Sequence, residues 1–399
     1  MFWFTSLTVL LWVIAAFWTW RALAALRGLP RVPNLRDPLR DPRYSAPEEA
    51  GSAPARIAVI VPARNEAAAI KATLRSLLAQ TIPVEIIAVD DRSTDATGAI
   101  MDRLADGPLP PGKTLRVLHV ESLPEGWLGK PHAMALAARH ATAPWLLFTD
   151  ADVFFDSIVL ARALRFAEPQ ADHLVLMPTL ILKTPGERMM AAILQSLSLL
   201  ASRPWRIANP RARDSIGIGA FNLIRADIYR AVGGFEAQRF QVLDDVRLGV
   251  EVKRAGYRQR IVFGRELIRV HWAPGALGMA HNLTKNVFAA FRFNPAPLLG
   301  ACLGLALLCY APLAGLFFSW PIRSAALVSL VMIALHHRLA SRRFSGLSTA
   351  WLLTLPIAVV FILYAMLRSM VLTLVRGGIV WRGTFYPLRD LRRHAGPLR

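Results

Sequence analysis

A chain of 399 residues is long enough for one large domain or two ordinary ones, and 54% of it is hydrophobic. The formal net charge of +20 invites nucleic acid as a partner, yet no basic stretch carries interleaved aromatics or a reading motif, which argues against that class. Only Cys302 and Cys309 occur, both in one apolar segment, so there is no disulfide framework and no cysteine metal spacing; a cytosolic site agrees with that.

In chain order, residues 1–20, MFWFTSLTVLLWVIAAFWTW, carry no charge, and Arg21, Arg27 and Arg31 follow. The run matches the ~20 apolar residues a bilayer crossing needs. A cleaved signal peptide would want a charged start and a small-residue cleavage site, and both fit poorly. The expectation is a retained anchor over residues 1–26 and a proline- and arginine-rich linker over 27–55. Strands then alternate with helices: strand Ile57–Val61, helix Glu66–Gln80, strand Val84–Val89, helix Ser93–Leu104, strand Leu115–Val120, a helix over 130–141 and a strand over 145–149. That alternation predicts an α/β domain with a mainly parallel sheet and helices on both faces, over residues 56–280. Ligands of such sheets bind beyond the carboxyl ends of the strands. The polar residues gather at those ends: Pro62–Glu66, Asp90–Asp95, and Asp150 with Asp152.

Asp150 and Asp152 close the apolar run that starts at Trp145, and residues i and i+2 of an extended chain point the same way. Two carboxylates held close repel unless one is protonated or a cation lies between them. Hard oxygen ligands select Mg²⁺ or Mn²⁺, commonly shared with substrate phosphates. Taken alone, each piece also has a plain structural reading. The Asp pair fits a turn. Arg64 at a helix start suits an anion, but Asn65 and Glu66 also fit a helix cap. Lys130, in GWLGKPHAMALA, suits a phosphate or simply water.

Beyond the sheet domain, Leu283, Val287, Phe288 and Phe291 recur at helical spacing with Lys285 and Arg292 among them, predicting an interfacial amphipathic helix over 281–296. Residues 297–322, 324–335 and 347–367 are free of charged residues. The first and third can span; the middle one is short, and reads as tilted, interfacial or half a hairpin. Transmembrane helices are thus expected over 297–375 and a basic tail over 376–399. In that tail, WRGTFY (381–386) fits equally an aromatic interfacial anchor or a part of the active site. The arginines beside the apolar segments place residues 21–296 in the cytoplasm by the positive-inside rule, making this a multi-pass protein of the inner membrane. Three C-terminal crossings would then put the basic tail outside, so one segment is expected to be a hairpin or interfacial.

As a set, P-A-R-N-E, V-D-D-R-S-T-D, G-K-x-x-A-M-A-L, T-D-A-D, G-I-G-A-F-N-L-I-R, V-G-G-F and L-D-D-V-R-L resemble the family-2 glycosyltransferases of the GT-A fold, in family order over about residues 56–296. The resemblance implies an inverting transferase that moves a sugar from a nucleotide-sugar donor to a hydroxyl acceptor. It implies donor contacts from Pro62, Arg64, Asn65, Glu66, Asp91, Lys130 and Asp150, and a divalent metal, Mg²⁺ or Mn²⁺, on Asp150 and Asp152. Gly219, Phe221 and Asn222 would line the acceptor side. Asp245 would be the catalytic base, with Asp244 standing where the family usually has Glu. The Asp244-Asp245 pair is expected to open a helix through Arg254, one acid facing the sugar and the other capping the helix or bonding nearby backbone.

The acceptor follows from two further features. The processive synthases of this family carry Q-x-x-R-W after the base, and residues 281–293, HNLTKNVFAAFRF, lack it. Anchoring at both ends suggests a lipid acceptor, and the order of pieces is similar to that of membrane glycosyltransferases associated with hopanoid, carotenoid or related lipids. Three rivals remain open: a processive polysaccharide synthase, a nucleotide-dependent oxidoreductase, and a non-catalytic binding protein. The oxidoreductase would need G-x-G-x-x-G where P-A-R-N-E stands.

Overall fold

The computed structural model describes residues 2–36 and 54–396; the expected linker therefore lies largely outside the described residues. The chain divides into two compact units. One holds residues 33–181, 206–271 and 393–399; the other holds 1–32, 182–205 and 272–392.

Among the described residues the first unit is built on ten strands: β1 Ile57–Ala63, β2 Val84–Asp91, β3 Lys113–Val120, β4 Trp145–Phe148, β5 Val153–Phe155, β6 His173–Leu176, β7 Thr179–Leu180, β8 Asn222–Arg225, β9 Gln259–Val262 and β10 Ile268–Val270. Seven form one sheet in the order β3-β2-β1-β4-β8-β6-β9. Its neighbours are parallel except where β8 meets β4 and β6, so the expected mainly parallel α/β sheet is found. A smaller sheet runs β5-β10-β7.

Every residue of β1 is buried, as an apolar run in the middle of a doubly covered sheet should be. Its alternation assigns the two faces. Ile57, Val59 and Val61 pack with Ile70, Leu74, Leu160 and Leu164, from helices Ile70–Leu78 and Val159–Gln170. Ala58 and Ile60 pack with Ala133, Ala137, Leu248 and Val252, from helices Gly129–His140 and Asp244–Arg254. Helices thus cover both faces, and the carboxyl ends of β1, β2 and β4 share one edge.

The second unit is mostly helical. Its long members are Phe2–Gly28, Pro185–Ala201, Pro295–Gly315, Trp320–Phe344 and Leu355–Val375. Among the described residues four helices are long and apolar enough to cross a membrane: Phe4–Arg31, Pro295–Gly315, Trp320–Phe344 and Thr349–Val375. The middle C-terminal segment is therefore a 25-residue helix and not a short one. Its charges lie toward its two ends, at Arg323 and at Arg338, Arg342 and Arg343, so the helix outruns its charge-free core.

Three expectations change here. Arg21, counted among the arginines that flank the anchor, is buried: it is 4% exposed and donates to the carbonyls of Leu199 (2.7 Å) and Leu200 (2.9 Å). It closes the C-terminal end of helix Pro185–Ala201, where orphan carbonyls favour a cation. The interfacial helix expected over 281–296 is two short helices, Gly275–Asn282 and Thr284–Ala290. Arg292 and Phe293 have φ of 55° and 56°, which stops the helix, and Asn294 then caps the next one by accepting from the Ala296 N–H at 3.1 Å. Phe288 is fully buried, so that face packs on protein. Finally, the described part of the tail forms regular elements: β11 Gly378–Trp381 and β12 Thr384–Pro387 make a hairpin, followed by helix Leu388–His394.

Candidate active site

The first strand end is held by the second. Asn65 adopts φ 55°, and its N–H donates to Ser93 Oγ at 3.0 Å while its Oδ1 accepts from the Thr94 N–H at 2.8 Å. The Glu66 N–H donates to Thr97 Oγ1 at 2.8 Å. Neither Asn65 nor Glu66 caps the next helix, which starts four residues later, at Ile70, with no side-chain cap. The side chains of V-D-D-R-S-T-D therefore fold onto P-A-R-N-E, which is why both helices start later than expected. Pro62 pairs with Val89 beyond the point where β4 still pairs with β1, so its missing N–H breaks no ladder bond there. Arg64 follows at the rim, half-buried.

Asp91, at the end of β2, is 5% exposed and takes both donors of Arg92, at 2.8 and 3.0 Å. Gly129 lies against this pair; a Cβ there would sit 2.4 Å from Asp91 Oδ2. The same glycine opens the helix that carries Lys130, so the helix N-terminus and its lysine approach the β2 end closely.

Lys130 is the centre of the site. Its Nζ meets Asp150 Oδ1 at 2.5 Å. Burial alone would lower the ammonium's pKa, but Asp150, Asp244 and Asp245 together raise it, keeping the charge on. Asp152 shows the complementary strain. Burial, then Asp150 and Glu66, push its carboxyl up to about 7 against the pull of Lys130. The pocket holds more negative than positive charge.

Gly219 supplies the wall. A Cβ there would lie 2.6 Å from Asp150 Oδ2 and 3.2 Å from Lys130 Nζ, so a larger residue would have to push the pair aside. Phe221 and Asn222 do not join it. A hydrogen bond from the Phe221 N–H to Ile218 O turns the chain inward. Phe221 is then fully buried in the core, and Asn222 is 1% exposed beneath the sheet. A side chain so enclosed packs the fold and does not line an acceptor path.

Asp244 and Asp245 do open a helix, Asp244–Arg254, in whose first turn their charge suits the helix dipole. The expected cap is not made: Leu243 holds that position without a side-chain bond. Asp244 is 4% exposed; Asp245 is half-buried, and its Oδ1 accepts from the Val246 N–H at 2.8 Å. Burial, then Asp244, push Asp245 up to about 6, while Lys130 pulls it down.

Two glycines and a glutamine fix that helix. A Cβ on Gly217 would lie 1.7 Å from the Asp245 carbonyl oxygen, and one on Gly249 would lie 1.9 Å from the Ile216 oxygen. Gln259 stitches the same seam. Its Oε1 accepts from the Ile216 N–H (3.0 Å), and its amide nitrogen lies 3.0 Å from the carbonyls of Ile216 and Gly249 and 2.8 Å from His173 Nδ1. His173 Nε2 in turn lies 2.7 Å from Asn222 Oδ1. Since that oxygen can only accept, His173 carries its proton on Nε2 and accepts on Nδ1. Burial lowers His173 to about 4, so it stays neutral. A lone glycine inside a helical pattern was the one available signal.

The fit to a divalent metal rests on the donor set. Among the described residues no three acids, histidines or cysteines converge as a ready cage. Two hard carboxylates, one of them driven toward protonation by its neighbours, suit an ion whose remaining ligands come from substrate phosphates.

Residues 58–245 match the model of glycosyl transferase family 2. The chain is 25% identical over 201 residues to 4,4'-diaponeurosporenoate glycosyltransferase of Staphylococcus haemolyticus, covering 50% of this chain and 52% of that one. It is 26% identical over 196 residues to the Staphylococcus aureus protein of the same name, covering 48% and 50%. The chain spans about half the length of the curated relatives it matches. Among solved structures, a mannosyltransferase from Pyrobaculum calidifontis in complex with GDP-Man and Mn²⁺ is 20% identical, covers 91% of this chain and 99% of its own, and has a TM-score of 0.48. Taken with the sheet order and the strand-end residues, the match identifies residues 58–245 as a glycosyl transferase family 2 domain.

Proposed function

We propose that the chain is an inverting glycosyltransferase that moves a sugar from a nucleotide-sugar donor to a lipid acceptor in the cytoplasmic membrane. One observation carries the reading: Lys130 held among Asp150, Asp244 and Asp245 at the shared edge of the parallel strands. Asp91 and the Gly129 helix start receive the nucleotide and its diphosphate, with Arg64 at the rim. Lys130, permanently charged, stabilises the negative charge that grows on the leaving diphosphate. Asp150 and Asp152 would hold a divalent cation, Mg²⁺ or Mn²⁺, which when bound adds Lewis-acid stabilisation of the same charge. Asp245 accepts the proton of the acceptor hydroxyl as that oxygen attacks the anomeric carbon; its value of about 6 lies near working pH, as a general base requires. A single base acting opposite the leaving group inverts the centre. Asp244, more deeply buried, tunes Asp245 by like charge.

Four apolar helices support a membrane acceptor, as does the name of the relatives, which act on a carotenoid acid. The catalytic unit is assigned to the cytoplasm, where sugar nucleotides are. The test is transfer of labelled sugar by the purified chain to a membrane lipid extract, resolved by mass spectrometry. One sugar on a lipid supports the reading. A long polymer would identify a synthase, and donor binding without turnover would identify a binding protein.

A further inference from the structure

A second polar cluster lies in the helical unit, where the transfer reading assigns nothing. A cavity of about 370 Å³ is lined by Lys285, Arg368, Arg376 and Arg382, together with His281 and Thr284. No acid is among the described residues on its walls. The cavity sits at the C-terminal end of Thr349–Val375, one of the helices able to cross a membrane: Arg368 lies in its last turns and Arg376 follows it directly. There orphan helix carbonyls and the water boundary both favour cations.

Two features show that the cations are placed. Lys285 Nζ stands 3.8 Å over the Trp381 ring, a cation–π distance that fixes it on the hairpin. Arg368 donates to Thr284 Oγ1 at 2.5 Å, tying the helix to the start of helix Thr284–Ala290. Arg382 is more telling. It and Gly383 make the two-residue turn between β11 and β12, with φ of 49° and 78°. Such a turn takes Asn-Gly with little strain, whereas a long side chain in the left-handed region is disfavoured. Strain kept at an exposed turn points to a use for the side chain.

The surroundings decide what kind of anion fits. Val371, Leu374, Val375, Val380 and Phe385 are all exposed apolar side chains on the same helix end and hairpin, Val375 at 79%. A soluble anion has no use for that rim; an acyl chain does. We propose that this cavity binds the phosphate headgroup of an anionic membrane lipid, with Arg376 and Arg382 as direct ligands and the W-R-G-T hairpin as one wall. The proposal stands whether or not the chain transfers sugar.

Native mass spectrometry of the full chain in neutral detergent tests it, with phosphatidic acid, phosphatidylcholine or inorganic phosphate added. Phosphatidic acid should bind, phosphatidylcholine far less. Arg376→Ala and Arg382→Asn should each weaken the adduct about fivefold and the pair multiplicatively, the usual worth of a cation at an anionic surface. Asn suits the turn, so misfolding cannot mimic the loss. A charge control, Arg103→Ala with Arg116→Ala on the sheet unit, should change nothing. Equal binding of the two lipids, equal loss in the control, or inorganic phosphate binding as tightly as phosphatidic acid would each overturn the assignment to a lipid headgroup.

Discussion

In the sheet unit, Asp150, Asp244 and Asp245 surround the single ammonium of Lys130, and Asp152 stands beside them. In the helical unit, four cations line a cavity with no acid among the described residues on its walls. Each cluster forms at the ends of regular elements, where backbone and solvent meet, and each leaves one sign of charge in excess. Burial makes the acidic excess costly unless a partner arrives, while Arg376 and Arg382 of the basic cluster stand exposed. The acidic cluster is short of positive charge, which suits a cation accompanied by a diphosphate; the basic one presents four cations, which suit an anion. Excess charge, and not the mere presence of charge, is what separates a site from a structural ion pair here. Arg258 and Asp172 make the contrast plain: two donors on one carboxylate, at 2.9 and 3.3 Å, hold Asp172 below the usual carboxylate range and leave little unmet.

The sharpest way to break the acidic half is to remove an acid. Asp150→Ala or Asp152→Ala should abolish metal-dependent turnover, a loss beyond roughly 10³-fold if both metal and diphosphate placement fail. Nucleotide release that survives undiminished in EDTA would remove the metal from the account.

Geometry comes next. Gly217→Ala drives a Cβ into the Asp245 carbonyl, so the helix start must move. A shift near 1 Å is worth about 10²-fold in rate. Donor affinity should fall much less than turnover, since the lysine helix is untouched. Equal losses in both would mean the seam does not position the base.

The network under the seam predicts a stability effect. His173→Phe orphans the Asn222 oxygen, costing about 1–3 kcal/mol for one unmet buried group, while Gln259 keeps the carbonyls of Ile216 and Gly249; the loss is read as a lowered Tm. It also changes the acid response. The folded His173 titrates near 4, below its ordinary 6.5, so the neutral form's contribution is complete above 6.5 and is lost as pH falls through 4. The variant should lose that part of the acid destabilisation between pH 6.5 and 4.

The smallest effect belongs to Glu187 in the helical unit. Burial would raise its carboxyl, but N–H groups of Gly275, Lys183 and Thr184 hold it down at about 2. With Thr184 it forms a capping box on helix Pro185–Ala201. Glu187→Gln should cost about 1 kcal/mol at neutral pH. That loss should shrink as pH falls from 4.5 toward 2, where the native carboxyl also protonates.

Much of the sheet was legible because strands in such a fold are short apolar runs with polar ends. Trp145–Phe148 before Asp150, and Val84–Val89 before Asp90, announced both the sheet and the edge where its ligand belongs. Local pattern carries that far and no further. Gln259, His173 and Asn222 are 86 and 49 residues apart in sequence, and nothing local marks them as partners. Phe221 and Asn222 sit in a motif beside Gly219, yet one turn hydrogen bond sends them into the core. Spacing alone also suggested a single interfacial helix through Arg292, where positive φ at two residues breaks it. The charge cluster of the hairpin was invisible for a different reason. It gathers residues from 285 to 382 around a helix end, and only the folded chain brings them together.

In the proposed mechanism Asp245, half-buried beside Lys130, removes the acceptor proton while Asp244 only tunes it. Asp245→Asn and Asp244→Asn keep shape and remove one charge each. Measured side by side for nucleotide-sugar affinity and for transfer to a membrane lipid extract, Asp245→Asn should bind donor but transfer some 10²–10⁴-fold more slowly. Asp244→Asn should lose about fivefold, the worth of ~1 kcal/mol. Wild-type transfer by Asp245→Asn alongside a dead Asp244→Asn would contradict the assignment, and undiminished transfer by both would contradict the mechanism itself.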